Sequence, residues 1–237
     1  MKTNAMRFEA IVILALVGAA VRADTTCAPG STPIPDGSGS VSRAIEIPAP
    51  SATSIITDVV VTVNVTHPWV GDLRLVLKHP TGAQIVLLDR PGIPSVGFPG
   101  PWGCGGANIA ATFSDAATID AETTCSTTAT PVLAGSLKPF APLSAFDGLA
   151  PQGTWTLEVI DEASIDAGML GQVCLTLVTT QICSADLDAN GVVDGADLAI
   201  VLGAWGACVN CNADIDVNGS VNGADLAIVL GAWGACQ

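Results

Sequence analysis

The feature that most constrains this chain is a duplication at its C-terminal end. Cys183 to Cys208 reads CSADLDANGVVDGADLAIVLGAWGAC, and Cys211 to Cys236 reads CNADIDVNGSVNGADLAIVLGAWGAC. The two 26-residue units match at 21 positions with an offset of 28. Chance does not produce such a match. The segment is a tandem duplication, and its two halves have to be read together.

Each repeat holds a twelve-residue loop whose polar residues are spaced to wrap a hard cation. A chain curling around calcium turns alternate side chains inward, so oxygen donors are needed at positions 1, 3 and 5. Glycine is needed at 6 for the sharp turn, a backbone carbonyl at 7, and further donors at 9 and 12. The first loop supplies Asp186, Asp188, Asn190, Gly191, Val192, Asp194 and Asp197. The second supplies Asp214, Asp216, Asn218, Gly219, Ser220, Asn222 and Asp225. Two calcium ions are therefore expected, with Val192 and Ser220 ligating through their carbonyls. The first loop carries four carboxylates and the second three, because Asn222 replaces the acid at position 9. Affinity rises with ligand charge, so the first loop is expected to bind more tightly. Asn218-Gly219-Ser220 has the form of a glycosylation sequon but reads better as part of this loop.

After each loop, Leu198, Val201, Leu202 and Trp205 recur at helical spacing, as do Leu226, Val229, Leu230 and Trp233. That spacing predicts one helical face, mostly committed to an intramolecular core. Gly203 and Gly206 each cost such a helix about 1 kcal/mol. From Cys183 onward there are seven Asp and no Lys or Arg, so calcium is expected to be part of the fold. An Asp rather than Glu at position 12, with no incoming helix before the loop, resembles the dockerin module. Its half-EF-hand repeats bind cohesin domains in bacterial assemblies of polysaccharide-degrading enzymes. The resemblance implies a cohesin-like protein partner.

The rest of the chain is also acidic. Net charge is −14 with only eight Lys and Arg, too few for a basic patch that would hold nucleic acid or an anionic membrane. Lys2 and Arg7 precede an apolar run from Ile11 to Val21, too short to span a bilayer and shaped like a secretory signal. Val21 and Ala23 fit positions −3 and −1 of a cleavage site, so residues 1–23 are expected to be a leader and the product to be secreted. No later segment reads as a membrane span. Eight cysteines suit an oxidising compartment, where disulfides prevail over thiolate metal sites. Cys208-x-x-Cys211 lacks the second Cys pair or His that zinc would need.

Residues 24–182 read as a β domain, and 183–237 as the calcium module. Val59, Val61, Val63 and Val65 alternate with Thr62, Asn64 and Thr66. Leu73, Leu75 and Leu77, then Trp155, Leu157 and Val159, then Val173, Leu175 and Leu177 keep the same two-residue period. Ile85 to Leu88 is a short apolar strand. Turns at Pro80-Thr81-Gly82 and Pro91-Gly92 separate the runs. The pattern predicts a mainly β, antiparallel sandwich or jelly roll followed by a small α module. Gly92 to Leu137 reads as a long Gly/Pro-rich excursion, anchored by a Cys104–Cys125 bridge. Cys27 and Cys174, near the two ends of the domain, are left as a further pair.

The run TDVVVTVNVTHPWVGDLRLVLKHPTGAQIVLLDRPG, Thr57 to Gly92, closely resembles the P domain, or P/Homo B domain. That module follows the catalytic domain of furin- and kexin-type subtilisin-like proprotein convertases. ATFSDAA from Ala111, PLSAFDGLAPQGTWTLEVID from Pro142 and DAGMLGQVCLTL from Asp166 extend the resemblance over about Ile34 to Thr180. It implies a β jelly roll that stabilises or regulates a neighbouring protease, and a protease as partner. Asp72, Asp115, Asp161 and Asp166 are candidates for one more calcium ion here.

No catalytic apparatus is legible. His67 and His79 are the only histidines, no G-x-S-x-G occurs, and no subtilisin-like Asp, His or Ser motif is found. The chain reads as a non-catalytic binding and anchoring protein. The alternatives are a detached accessory of a subtilisin-like serine endopeptidase and a carbohydrate-binding component. In the tail, an antiparallel helix pair favours Cys183–Cys236 with Cys208–Cys211; one bridge per repeat, Cys183–Cys208 and Cys211–Cys236, is the alternative.

Overall fold

A computed structural model describes residues 21–37, 39–49, 54–93, 102–126, 128–208 and 211–236. The leader expected at 1–23 lies outside these residues, except for Val21 to Ala23. The chain divides into two compact units, Val21–Ile182 and the segment from Cys183 onward.

Among the described residues the first unit has ten strands: β1 (Val21–Ala28), β2 (Thr32–Ile34), β3 (Ser40–Ile47), β4 (Ser54–Thr66), β5 (Leu73–Lys78), β6 (Gln84–Asp89), β7 (Ile109–Phe113), β8 (Leu133–Leu137), β9 (Gly153–Asp161) and β10 (Gly168–Gln181). One sheet runs β1-β10-β4-β7-β8 with β2 also on β10; the other runs β3-β9-β5-β6. Side chains alternate across a strand, so each period-two run offers one apolar face. Val59, Val61, Val63 and Val65 of β4 bury that face, as do Val173, Leu175 and Leu177 of β10. Leu73, Leu75 and Leu77 of β5 and Trp155, Leu157 and Val159 of β9 join them in one cluster drawn from both sheets. Each buried Val or Leu contributes about 1.5–3 kcal/mol. Trp155 meets the edges of His79 and Phe146 at 4.6 and 5.1 Å between ring centroids. Its indole N–H donates to the Pro151 carbonyl, 2.9 Å away, which removes the polar cost of burying it.

Two expectations are corrected. The stretch from Gly92 to Leu137 is not one irregular excursion: it contains β7 and β8. These strands pair in parallel, Ile109 with Leu133 through Phe113 with Leu137, so the larger sheet is mixed and not wholly antiparallel. The Cys104–Cys125 bridge ties the segment before β7 to the connection between β7 and β8. Gly71 shows how tightly this region closes. A Cβ there would lie 2.6 Å from the Cys104 amide nitrogen and 2.7 Å from the Trp102 carbonyl. Cys27 and Cys174 face each other across β1 and β10 and are bonded.

The second unit repeats one pattern twice. β11 (Val192–Val193) leads into α1 (Gly195–Gly203) and β12 (Gly206–Ala207); β13 (Ser220–Val221) leads into α2 (Gly223–Gly231) and β14 (Gly234–Ala235). β11 pairs with β14 and β12 with β13, so every pairing joins one repeat to the other. Cys183–Cys236 and Cys208–Cys211 are the bridges. Val193, Val201, Val221 and Val229 form the core. The expected helical core face is corrected here: Leu202, Trp205, Leu230 and Trp233 are each more than half exposed, at 54, 52, 54 and 51%. Gly206 lies beyond the helix at φ +120°, so only Gly203 bears on helix propensity. Among the described residues no helix is long and apolar enough to cross a membrane.

Candidate metal centres in the C-terminal repeats

Each loop is folded by carboxylates that gather backbone N–H groups. Asp186 accepts from the Asn190 amide at 3.0 Å and, through its other oxygen, from the Gly191 amide at 2.8 Å. Asp214 holds Asn218 and Gly219 at the same two distances. Gly191 and Gly219 have φ of +87° and +90°, a left-handed conformation that glycine adopts without steric cost. The residues two before them, Ala189 and Val217, also have positive φ, at 59° and 57°. A β-branched residue is strained there, by roughly 1–3 kcal/mol.

Asp197 and Asp225 close the loops from the first turns of α1 and α2, and both are fully buried. Asp197 Oδ1 accepts from Leu187 N at 2.6 Å and Asp188 N at 3.3 Å, and Oδ2 accepts from Asp194 N at 2.8 Å. Burial pushes its carboxyl up, but these amides together outweigh burial and hold it below the usual carboxylate range. The Asn222 amide, against burial, does the same for Asp225, with help from Asp216 and Ile215. Asp186, Asp188 and Asp197 each bring a carboxylate oxygen within 4.8 Å of the others, as do Asp214, Asp216 and Asp225.

The remaining expected ligands hold the loop. Asn190 and Asn218 accept from the Val192 and Ser220 amides through Oδ1 and donate to Asp188 and Asp216 through Nδ2. Asp194 and Asn222 are helix N-caps, accepting from Ala196 N at 2.7 Å and Ala224 N at 2.8 Å in reciprocal capping boxes. Asn222 Nδ2 also donates to the Ser220 carbonyl. The converging sets, Asp186, Asp188 and Asp197 and Asp214, Asp216 and Asp225, contain equal numbers of carboxylates. The donor set fits a hard divalent cation: three carboxylates converge in a unit with no Lys, Arg or His to neutralise them.

In the β unit no comparable set forms among the described residues. Asp115 instead accepts from the Leu143 and Ser144 amides at 2.9 and 2.8 Å. Asp161, fully buried, lies 3.2 Å from His67 Nε2, and His67 Nδ1 lies 2.7 Å from the Trp69 carbonyl. Asp72 is buried beside them; desolvation, then the charge of Asp161, pushes its carboxyl up. His79 Nε2 donates to the Ala150 carbonyl at 2.9 Å, while Nδ1 faces the Thr81 hydroxyl at 2.8 Å. Both imidazoles are buried and committed to structural partners. The His67–Asp161 contact spans 94 positions, and nothing local in the sequence signals it.

Known proteins are similar to part of this chain. Residues 56–97 match the proprotein convertase P-domain family. Two curated relatives, each named calcium-dependent protease, come from Trichormus variabilis (strain ATCC 29413 / PCC 7937) and Nostoc sp. (strain PCC 7120 / SAG 25.82 / UTEX 2576). Each is 31% identical over 129 residues, covering 53% of this chain and 14% of the relative. Among solved structures, a serine protease of Aeromonas sobria in complex with a chaperone has 18% identity and a TM-score of 0.43, covering 69% of this chain and 28% of that one.

Proposed function

We propose that this chain is an exported, calcium-stabilised binding module that accompanies a serine protease and does not itself cut peptide bonds. The observation that carries the calcium half is the pair of three-carboxylate clusters, in a unit without a single basic residue. The match of residues 56–97 to the P-domain family and the names of the two relatives support the protease association. Four disulfides suit an oxidising, extracellular setting. Exposed Leu202, Trp205, Leu230 and Trp233 support an anchoring role for the tail, toward a cohesin-like domain or the protease itself.

Calorimetric titration near neutral pH tests the calcium reading. Two ions per chain are expected, with Asp197→Ala and Asp225→Ala each removing one. Calcium at one hundred times the dissociation constant should stabilise the tail by about 2.7 kcal/mol per site. No binding heat and no thermal shift at millimolar calcium would sink this reading. Casein turnover blocked by a serine-directed inhibitor would overturn the non-catalytic half. Capture from culture medium with calcium and with a chelator identifies the partner.

A further inference from the structure

The two loops share a chemical liability that their fold conceals. Asn190-Gly191 and Asn218-Gly219 place an asparagine before the residue that least hinders attack on its side chain. In a free peptide the Gly nitrogen attacks the Asn Cγ. A C–N bond forms, the Cγ–Nδ2 bond breaks, and ammonia leaves with the proton shed by the amide. Water then opens the cyclic imide at either carbonyl, giving aspartate or isoaspartate. No electrons are transferred, and water is the only co-reactant.

Here every atom of that reaction is held. The attacking N–H of Gly191 donates to Asp186 Oδ2 at 2.8 Å, and that of Gly219 to Asp214 Oδ2 at 2.8 Å. A carboxylate beside the amide opposes the negative charge that attack must develop. The electrophile is pinned as well. Asn190 Oδ1 accepts from Val192 N at 2.9 Å and Nδ2 donates to Asp188 Oδ2 at 3.0 Å. Asn218 repeats both bonds at 3.0 and 2.8 Å. Yet Asn190 and Asn218 are exposed, so water and base reach them freely. Hydrogen bonding, not burial, is the guard.

We propose that Asn190 and Asn218 are guarded deamidation sites, open to modification only while the calcium loops are open. This rests on the calcium reading above. Modification is one-way. A carboxylate at either position would face Asp188 or Asp216 within hydrogen-bonding distance with no proton to share. An isoaspartate would add a backbone methylene and draw the glycine amide off its acceptor. A loop that has once aged cannot re-form its original contacts.

The rate follows the open fraction of the loop, and calcium at one hundred times its dissociation constant lowers that fraction about a hundredfold. The full chain is incubated at pH 8 with calcium, with a chelator, and in urea. Deamidation at each site is followed by peptide mass spectrometry, with Asn212 as an internal reference. Calorimetry on the same preparation counts bound calcium. Deamidation at Asn190 and Asn218 at least about tenfold faster with chelator than with calcium is the expected result. Equal rates in a chain that binds two ions would overturn the proposal and leave the calcium reading intact. If calorimetry finds no calcium, that reading fails on its own. The guard is then judged by native against urea-unfolded chain, and equal rates there overturn it too.

Discussion

Replacing Glu122 with glutamine should stabilise the β unit at pH 8 and leave it almost unchanged at pH 5. Glu122 Oε1 accepts from the Asp89 amide at 2.7 Å, and its own carbonyl accepts from Gly92 N. It thereby ties the segment carrying Cys125 to the end of β6. Burial pushes its carboxyl from 4.5 up to about 7; the charges of Asp89 and Asp120 add to this and the Asp89 N–H opposes it. The folded pKa lies above the unfolded one, so the folded state holds the proton more tightly. Stability from this group is complete below the unfolded value, falls as pH rises from about 4.5 to 7, and is gone above that. At face value the displacement is worth about 3 kcal/mol. Glu122 is only half-buried, so solvent screening reduces this to about 1–2 kcal/mol. Glutamine keeps the acceptor for Asp89 and removes the charge. Native-state hydrogen exchange at the β4–β10 amides, from pH 5 to 8, reads the stability of this unit. The variant should gain about 1–2 kcal/mol at pH 8 and show a flatter profile. An unchanged slope between pH 5 and 7 would show that Glu122 is not the titrating group.

Removing the Cys27–Cys174 bridge as a double serine variant deletes a cross-link of sequence separation 147. The loop-entropy model gives about 5 kcal/mol as the ceiling, and urea denaturation should report a loss of about 2–5 kcal/mol. Asp115→Ala frees the Leu143 and Ser144 amides and should cost about 1–2 kcal/mol, measured the same way. Val217→Asn relieves a β-branched residue at positive φ and should raise tail stability by about 1 kcal/mol, with Ala189→Asn gaining less. Because Asp194 and Asn222 act as caps, Asn222→Asp should change calcium affinity at the second loop by less than about tenfold in calorimetry.

The sequence showed what its side chains repeat and hid what small or distant residues do. β4, β5, β9 and β10 are legible because Val and Leu recur every second position and all face one core. β7 and β8 are not. In β7 the buried face is Ile109, Ala111 and Phe113, and β8 buries only its ends, Leu133 and Leu137. Alanine, glycine and serine carry little periodic signal, and parallel pairing has no local signature. The twelve-residue loops were legible as loops, and the structure gathers six of their acids into two triads. What spacing does not signal is that Asp194 and Asn222, at position 9, also cap the helices. Leu202 and Trp205 have core spacing, but so small a unit has depth only for Val201 and part of Leu198.

The strand pairing in the tail makes each repeat the completion of the other. Val192–Val193 of the first finds its partner in Gly234–Ala235 of the second, and Ser220–Val221 finds its own in Gly206–Ala207. A half-length tail would have a loop whose strand has no mate and a helix end whose strand has none either. Two such halves would each supply the strand the other lacks, related by a twofold axis. The duplication thus has the geometry of a symmetric dimer written into one chain, with Cys208–Cys211 closing the join and Cys183–Cys236 tying the two far ends.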